Sequence, residues 1–204
     1  MPASALSPFA IGLLTMLLGS SEATERECDE DAFVDSPSVM RGAKCGQWWL
    51  VTPPAALAWT FAWARFTTPI TGDFDLEVGL QRISRDARPS VEVRMPSGLI
   101  LFQNGRYAFY ENEAQFATDG WTAHPTLETT QPFRVRIEQR RDQVTLWIDG
   151  QLAGKHRWAR LSTTGDARVA AKSLPQHRGR VRITDPQLRN LQPSTSDAPA
   201  PPAR

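Results

Sequence analysis

The sequence is poor in the residues from which metal centres and nucleophilic triads are built. It has two cysteines and three histidines among its 204 residues. His124, His156 and His177 stand in no H-E-x-x-H or Ser-His-Asp context, and two cysteines without clustered histidines make a poor zinc site. The sequence therefore predicts no metal centre, no resident cofactor and no Ser-His-Asp triad.

Neither sign of charge predominates in the chain. Lys and Arg together number 23 and Asp and Glu number 22, which leaves a formal net charge of +1. Domains that bind nucleic acids usually carry a basic footprint, because they must neutralise phosphates. This balance predicts no nucleic-acid partner.

Long apolar runs are also scarce, and the clearest one lies at residues 9–18. It is too short to form a helix that crosses a bilayer, and its length is typical of the apolar region of a secretory signal. A small-x-small sequence at 21–23 predicts cleavage there, although no Lys or Arg precedes the run. We expect a signal peptide over 1–23, a secreted or periplasmic mature chain and no stable membrane span. The alternative is an uncleaved N-terminal helix.

The two cysteines lie in the polar segment that follows the signal. In an oxidising compartment an isolated pair most simply forms one disulfide, so we predict a Cys28–Cys45 bond. It would close a loop of about 18 residues and stabilise the domain by roughly 3 kcal/mol on the chain-entropy model. The expected role of residues 24–47 is that of a stapled N-terminal arm.

From residue 48 onward, apolar and polar residues alternate with a period of two, which is the strand signal. Asn104-Gly105 and Asp149-Gly150 interrupt this alternation and predict two-residue hairpin turns. In the first hairpin, Phe102 is expected opposite Tyr107. No long helical period is visible, so we expect an all-β domain, sandwich or barrel, over residues 48–191. Residues 192–204 lack the apolar content to offset their ordering entropy and are predicted to be disordered.

Residues 57–64 raise the question of which way their aromatic stripe faces. Leu57, Trp59, Phe61 and Trp63 alternate with alanine and threonine. If the rings faced outward, they would repeat every ~7 Å as a stacking ladder, and the inward face would hold only alanine and threonine. Because such a face makes a poor core, we predict that the rings are buried.

Three stretches together resemble the concanavalin A-like lectin/glucanase superfamily, which includes laminin G-like domains and 3-keto-disaccharide hydrolase-type jelly rolls. They are GDFDLEV at 72–78, FRVRIE at 133–138 and VTLWIDG at 144–150. The resemblance covers residues 48–191 and implies an antiparallel two-sheet jelly-roll sandwich. It also implies that ligands bind on a concave face or at the rim loops.

Glucanases of this superfamily carry acidic residues at alternate positions of one strand, in a Glu-x-Asp-x-Glu type pattern. That pattern is absent here. The nearest approach is Glu111 and Glu113, whose alternation would place two carboxylates on one face. A solvated strand end is the simpler explanation of these two residues, and a catalytic pair is the alternative. Some laminin G-like domains bind calcium at loop acids, so calcium is the alternative to the absence of a cofactor; the turn at Asp149-Gly150 is sufficient to explain that aspartate, and no second acid matches.

The outward phase of the predicted strands carries a different candidate. The strand positions predicted to point away from the core hold four arginines and one tryptophan: Arg134, Arg136, Arg180, Arg182 and Trp147. If their strands are neighbours, guanidinium groups surround an indole, a combination suited to an acidic glycan. A solvated face that guards against edge aggregation is the alternative.

Three functions follow. The first is a secreted, non-catalytic jelly-roll module that binds carbohydrate or another surface ligand. The second is a hydrolase of glycosides or 3-keto-glycosides, for which Glu111 and Glu113 are the candidates. The third is an adhesion or structural domain of the cell envelope with a protein partner.

Overall fold

The computed structural model describes residues 32–34, 38–44, 46–53, 60–83, 89–111, 120–128 and 130–192. These ranges contain fifteen β-strands and one 3-10 helix, Pro125–Glu128. The strands are β1 (Val39–Arg41), β2 (Gln47–Val51), β3 (Thr60–Arg65), β4 (Ile70–Thr71), β5 (Phe74–Arg82), β6 (Ser90–Met95), β7 (Gly98–Gln103), β8 (Arg106–Tyr110), β9 (Thr122–Ala123), β10 (Phe133–Arg140), β11 (Gln143–Ile148), β12 (Gln151–Arg157), β13 (Thr164–Gly165), β14 (Arg168–Ser173) and β15 (Arg180–Asn190). Within these ranges, no helix has the length and apolarity needed to cross a membrane.

Two large antiparallel sheets pack face to face. One has seven strands in the order β1-β2-β15-β5-β10-β11-β12, and the other has six in the order β3-β14-β6-β7-β8-β9. Strands β4 and β13 form a separate small ladder. The order joins strands that are distant in sequence, so the sandwich closes through long-range pairings. The predicted fold class, an all-β two-sheet jelly-roll sandwich, is confirmed.

Alternation along each strand fills the space between the sheets. On β10 and β11, every second side chain is buried, and the intervening ones face solvent or are half-buried. The inward apolar residues of these strands are Phe133, Val135, Ile137, Val144, Leu146 and Ile148. Together with the inward residues of the six-stranded sheet they form one continuous apolar layer, whose burial is the main stabilising contribution to the fold.

The hairpin predicted at Asn104-Gly105 is confirmed, including its register. Phe102 pairs with Tyr107, and Ile100 pairs with Phe109. Asn104 has φ 48° and Gly105 has φ 77°. A type I′ turn needs positive φ at both central residues, and asparagine and glycine reach that region at low cost.

The seven-stranded sheet extends upstream of residue 48, into the segment for which the sequence predicts a stapled arm. Strand β1 pairs with β2 there, and the Phe33 ring lies 5.3 Å from Trp48 and 4.8 Å from Phe66 between ring centroids. Phe33 of this arm is therefore part of the core, whereas β1 extends the edge of the sheet. The predicted disulfide partners Cys28 and Cys45, the signal segment 1–23 and residues 193–204 lie outside the described residues.

The prediction that the aromatic stripe is buried is wrong for the two members that the structure describes. Phe61 and Trp63 on β3 are 46% and 40% exposed, whereas Ala62 and Ala64 are fully buried. The sequence argument failed because β3 does not have to supply bulk to the core. Strand β2 contacts β3 across the sandwich, and large rings from other segments occupy the same core as its alanines. Leu57 and Trp59 lie outside the described residues.

This orientation predicts opposite responses at adjacent positions. Ala62→Leu should overpack the core and lower the free energy of unfolding by about 1–3 kcal/mol. Trp63→Ala, on the solvent side of the same strand, should lower it by about 1 kcal/mol or less. Urea denaturation of both variants measures the difference. A larger loss for Trp63→Ala than for Ala62→Leu would contradict the assignment of faces.

Candidate functional site

The exposed rings of β3 lie on the outer face of the six-stranded sheet, where the strand register brings distant side chains together. Ala170 of β14 is paired with Trp63 on one side and with Glu92 of β6 on the other. Two residue pairs along, Lys172 is paired with Phe61. The pairing of β3, β14 and β6 therefore builds a surface that no short stretch of sequence contains.

A depression of about 300 Å³ occupies this surface. Ala170 explains its existence, because a small side chain separates the Trp63 indole from Glu92 in the same cross-strand row. The described residues that line the depression are Phe61, Trp63, Glu92, Arg94, Arg168 and Ala170. They combine two aromatic rings with charged groups, which is the composition of a polar-ligand site.

A cationic side chain lies over each exposed ring. The Arg168 guanidinium carbon lies 5.4 Å from the centroid of Trp63, and the Lys172 ammonium lies 5.2 Å from that of Phe61. Cation–π contacts of this kind contribute about 0.5–1 kcal/mol at exposed sites and orient both partners. Arg168 stays 45% exposed, and its contact with Asp166 spans 3.5 Å. The guanidinium is thus positioned but open to solvent.

A buried carboxylate lies beside the rings. Glu92 is only 1% exposed, and its Oε2 accepts hydrogen bonds from Arg94 Nε at 2.9 Å and Nη2 at 2.8 Å. Two charge-assisted bonds offset the cost of burying the carboxylate. Sequence reasoning missed this residue. The available signal was the acidic residue in the outward phase of the alternating stretch at 90–95.

The arginine patch predicted from sequence is only partly brought together. Arg136 lies over the Trp147 indole, with its guanidinium carbon 5.0 Å from the ring centroid. Arg136 also makes a two-point contact with Asp75, at 3.0 Å and 3.1 Å. This hydrogen bonding raises the pKa of Arg136 above its usual range. Arg134 contacts Glu77 at 2.7 Å and Asp185 at 3.3 Å.

Arg180 and Arg182 lie elsewhere on the same face. Their strand, β15, is separated from β10 by β5, which carries the carboxylates of Asp75 and Glu77. Arg182 instead lies 4.7 Å from the Trp49 ring, measured from its guanidinium carbon to the centroid. The face therefore holds two arginine–tryptophan pairs with an ion-pair network between them. Their role as a ligand site remains a prediction.

Glu111 follows β8 and takes part in local structure. Its Oε1 accepts a hydrogen bond of 2.7 Å from the Ala159 backbone N–H. Glu113, the other candidate acid, lies outside the described residues. The proposed catalytic pair therefore remains a prediction.

His156 lies close to Glu111, in the seam between the two sheets. Its ring stacks on Phe109 at 5.2 Å and 9°, and lies 4.7 Å from Trp158. Burial lowers the pKa of His156, and the Glu111 charge opposes this effect. Its Nε2 is buried and has no hydrogen-bond partner. This environment therefore favours the neutral form of the His156 imidazole.

The structure also bears on metal binding. The described ranges contain no group of three or more His, Cys, Asp or Glu side chains arranged to hold a metal ion. Asp149, the residue of the DG turn, uses Oδ1 to accept a 2.7 Å hydrogen bond from the Arg134 backbone N–H. Its contact is the one expected of a turn aspartate.

Comparison with known proteins identifies the fold. No protein-family model and no curated protein matches the chain in sequence. In structure it is similar to the carbohydrate-binding module CBM66 from Bacillus subtilis, with TM-score 0.54 and 11% identity over 78% of this chain and 94% of that one. It is also similar to a Bacillus licheniformis β-glucanase, with TM-score 0.56 and 9% identity over 76% and 83% of the two chains.

Alginate lyases and a sialidase share the same architecture. The family 7 alginate lyase A1-II′ matches with TM-score 0.53 and 7% identity, over 76% of this chain and 84% of that one. For the sialidase the TM-score is 0.54 at 7% identity; 78% of this chain is covered, but it spans only 16% of the sialidase's length. At these identities the likeness shows the fold alone. The two-sheet jelly-roll fold implied by the resemblance is confirmed.

The His156 cluster predicts a pH dependence of stability. Because the folded-state pKa lies below the unfolded value of about 6.5, the unfolded chain binds more protons between the two values. The free energy of unfolding should therefore fall as the pH drops through this window. His156→Phe keeps a ring and removes the titration, so the loss measured by urea unfolding between pH 7.5 and pH 5 should shrink.

His177→Gln is the matched control, because His177 lies outside this cluster and the variant also removes one histidine. It should keep the dependence of the parent protein. A His156→Phe protein whose stability falls with pH as steeply as that of the parent would contradict the assignment.

Proposed function

We propose that this protein is a non-catalytic carbohydrate-binding module that binds an acidic glycan on the outer face of its six-stranded sheet. The observation that carries the proposal is the pair of exposed rings on β3, Phe61 and Trp63, each with a cation over it and both lining one depression. Its expected location is outside the cytoplasm, secreted or periplasmic.

Exposure of these rings is the first argument. Large apolar side chains grouped on a surface lose the stabilisation that burial would give, and such groups mark binding sites. The apolar C–H face of a sugar ring packs against an aromatic face through ordinary dispersion and hydrophobic contact. Phe61 and Trp63 are two residues apart on one strand, so their rings repeat at ~7 Å along it.

Charge favours an acidic sugar at this position. Arg168 presents a half-exposed guanidinium at the rim of the depression, and the planar fork of guanidinium matches a carboxylate or sulfate group. Trp63 holds that fork in place, so little conformational entropy is lost when an anion binds. A uronic acid or a sulfated sugar presents both the apolar face and the negative group that this pair would recognise.

On the opposite face, Arg134 and Arg136 are less available for an acidic ligand than Arg168, whose contact with Asp166 is longer, at 3.5 Å. Arg134 and Arg136 each contact carboxylates of β5, and an anionic glycan would have to compete with Asp75 and Glu77 for them. We therefore favour the six-stranded sheet over the set around Trp147. The neighbouring structures include a carbohydrate-binding module, which supports a glycan as the class of ligand.

Hydrolysis of glycosides or 3-keto-glycosides is the second candidate, and an adhesion domain with a protein partner is the third. The β-glucanase and alginate lyases among the neighbours keep the enzyme candidate open. Glycoside hydrolysis usually needs two carboxyl groups about 5–9.5 Å apart. Among the described residues that line the depression, Glu92 is the single carboxylate, and Arg94 engages its Oε2. Binding without catalysis fits this arrangement better.

A glycan panel tests the site. It should contain polyuronates, sulfated polysaccharides and neutral glucans, with affinities measured by isothermal titration calorimetry. Trp63→Ala should weaken binding of the anionic members about tenfold or more, corresponding to ~1.4 kcal/mol, because it removes both the stacking face and the support of Arg168. Arg168→Gln should weaken the same ligands and flatten the salt dependence of binding.

Trp147→Ala is the matched control, because Trp147 also supports an arginine, on the other sheet. It should leave these affinities unchanged. Loss of binding in Trp147→Ala with full binding in Trp63→Ala would move the site to the seven-stranded sheet and refute the present assignment.

The non-catalytic assignment is tested by turnover. Alginate and β-glucan are incubated with the protein, and new reducing ends and unsaturated products are measured. We expect no turnover for the parent protein, and the same result for Glu92→Gln and Glu111→Gln. Turnover that disappears in Glu111→Gln would establish the enzyme candidate instead.

A further inference from the structure

A second depression, of about 440 Å³, lies at the other end of the same sheet face. The described residues that line it are Gln103, Asn104, Arg106 and Trp121. They come from the β7–β8 hairpin and from the residue before β9. None of them belongs to the site proposed above.

The side chains around this depression present unused hydrogen-bonding groups. Within the described ranges, the amides of Gln103 and Asn104 and the guanidinium of Arg106 form no hydrogen bond or ion pair with another side chain. An amide offers one acceptor and two donors, which matches the paired donors and acceptors of sugar hydroxyls. The guanidinium of Arg106 adds paired N–H donors for a carboxylate or a hydroxyl.

Trp121 supplies the apolar surface. It is half-buried and packs edge-on against Tyr110, with ring centroids 6.1 Å apart, so part of the indole stays open beside the amides. One indole with several converging polar groups is the composition of a small polar-ligand site. The same two elements, an aromatic face and a guanidinium, occur at Trp63 and Arg168.

The backbone that carries these groups is held by regular pairing. Gln103 and Arg106 are paired across the type I′ turn, and Arg106 is also paired with Ala123 of β9. The Gly105 carbonyl accepts a 2.9 Å hydrogen bond from the His124 N–H. The site is therefore preorganised, and binding costs little backbone ordering.

Trp63 on β3 and Trp121, directly before β9, lie apart, although the linings of the two depressions approach each other on the adjacent strands β6 and β7. Strands β3 and β9 are the opposite edges of the six-stranded sheet, and five strand spacings separate them by about 24 Å. Between them, the outer-face side chains Leu99, Leu101 and Ala108 are buried. The sheet surface there does not itself offer a continuous groove, so the two indoles are separate points of contact.

We propose that the depression around Trp121 is a second glycan subsite, and that one polysaccharide chain engages both subsites at once. This inference rests on the proposed function, because it assigns the Trp63 depression to the same polymer. A short oligosaccharide does not reach from one tryptophan to the other and packs on either indole independently. A polymer gains affinity because its second contact is intramolecular.

The experiment compares alginate, a polyuronate polymer, with its trisaccharide. Indole N–H resonances of Trp63 and Trp121 are assigned by their absence in Trp63→Ala and Trp121→Ala. The trisaccharide should shift both resonances, and each single variant should keep the response of the remaining one. Affinity for the polymer should fall about tenfold or more in either variant, to the level of the trisaccharide.

Trp121→Ala could weaken binding by disturbing local packing, since Trp121 contacts the cluster around Tyr110. A second variant controls for this effect. Asn104→Gly removes only the carboxamide, and glycine keeps the positive φ of the turn. It should also weaken polymer binding, while Trp147→Ala should not.

The outcomes separate the two proposals. A trisaccharide response at Trp63 alone, with unchanged polymer affinity in Trp121→Ala and Asn104→Gly, overturns the second subsite and leaves the first. A response at Trp121 alone overturns the first site. Silence at both indoles at millimolar trisaccharide overturns both.

Discussion

The structure depends on one constraint, which is that side chains of a paired strand must alternate between an apolar layer and the solvent. Two sheets satisfy it together, because each hides the inner face of the other. The core does not require each strand to contribute equally. The alanines of β3 are accommodated because Phe33, Trp48 and Phe66 provide bulk in the same core. The larger residues of β3 are thereby left for the surface.

The two outer faces use that freedom differently. On the seven-stranded sheet, strand β10 is paired with β5, and the arginines of β10 form ion pairs with the carboxylates of β5. Exposed ion pairs of this kind add little stability. On the six-stranded sheet, aromatic rings and their cations face solvent at one edge, with a second indole at the other. This difference between the two outer faces supports ligand binding on the six-stranded sheet.

Local chemistry explains which sequence predictions held. The turn at Asn104-Gly105 and the register of its hairpin depend on two adjacent residues with access to positive φ, so the sequence sufficed. The direction in which Trp63 points was mispredicted, because alternation allows two phases and only the opposing sheet selects between them. Glu92 was overlooked for a related reason: its partner Arg94 is visible in sequence, but its neighbours Trp63 and Ala170 come from distant strands.

The sequence by itself determined the strands, the hairpin turns and the class of fold, because period-two patterning and turn chemistry are local properties of the chain. Only the tertiary structure decided which strands are neighbours. It placed β5 between β15 and β10, which divided the predicted arginine patch into separate pairs, and it brought Trp63, Arg168 and Glu92 to one depression. Strand order results from long-range packing of the two sheets, and no short window of sequence records it.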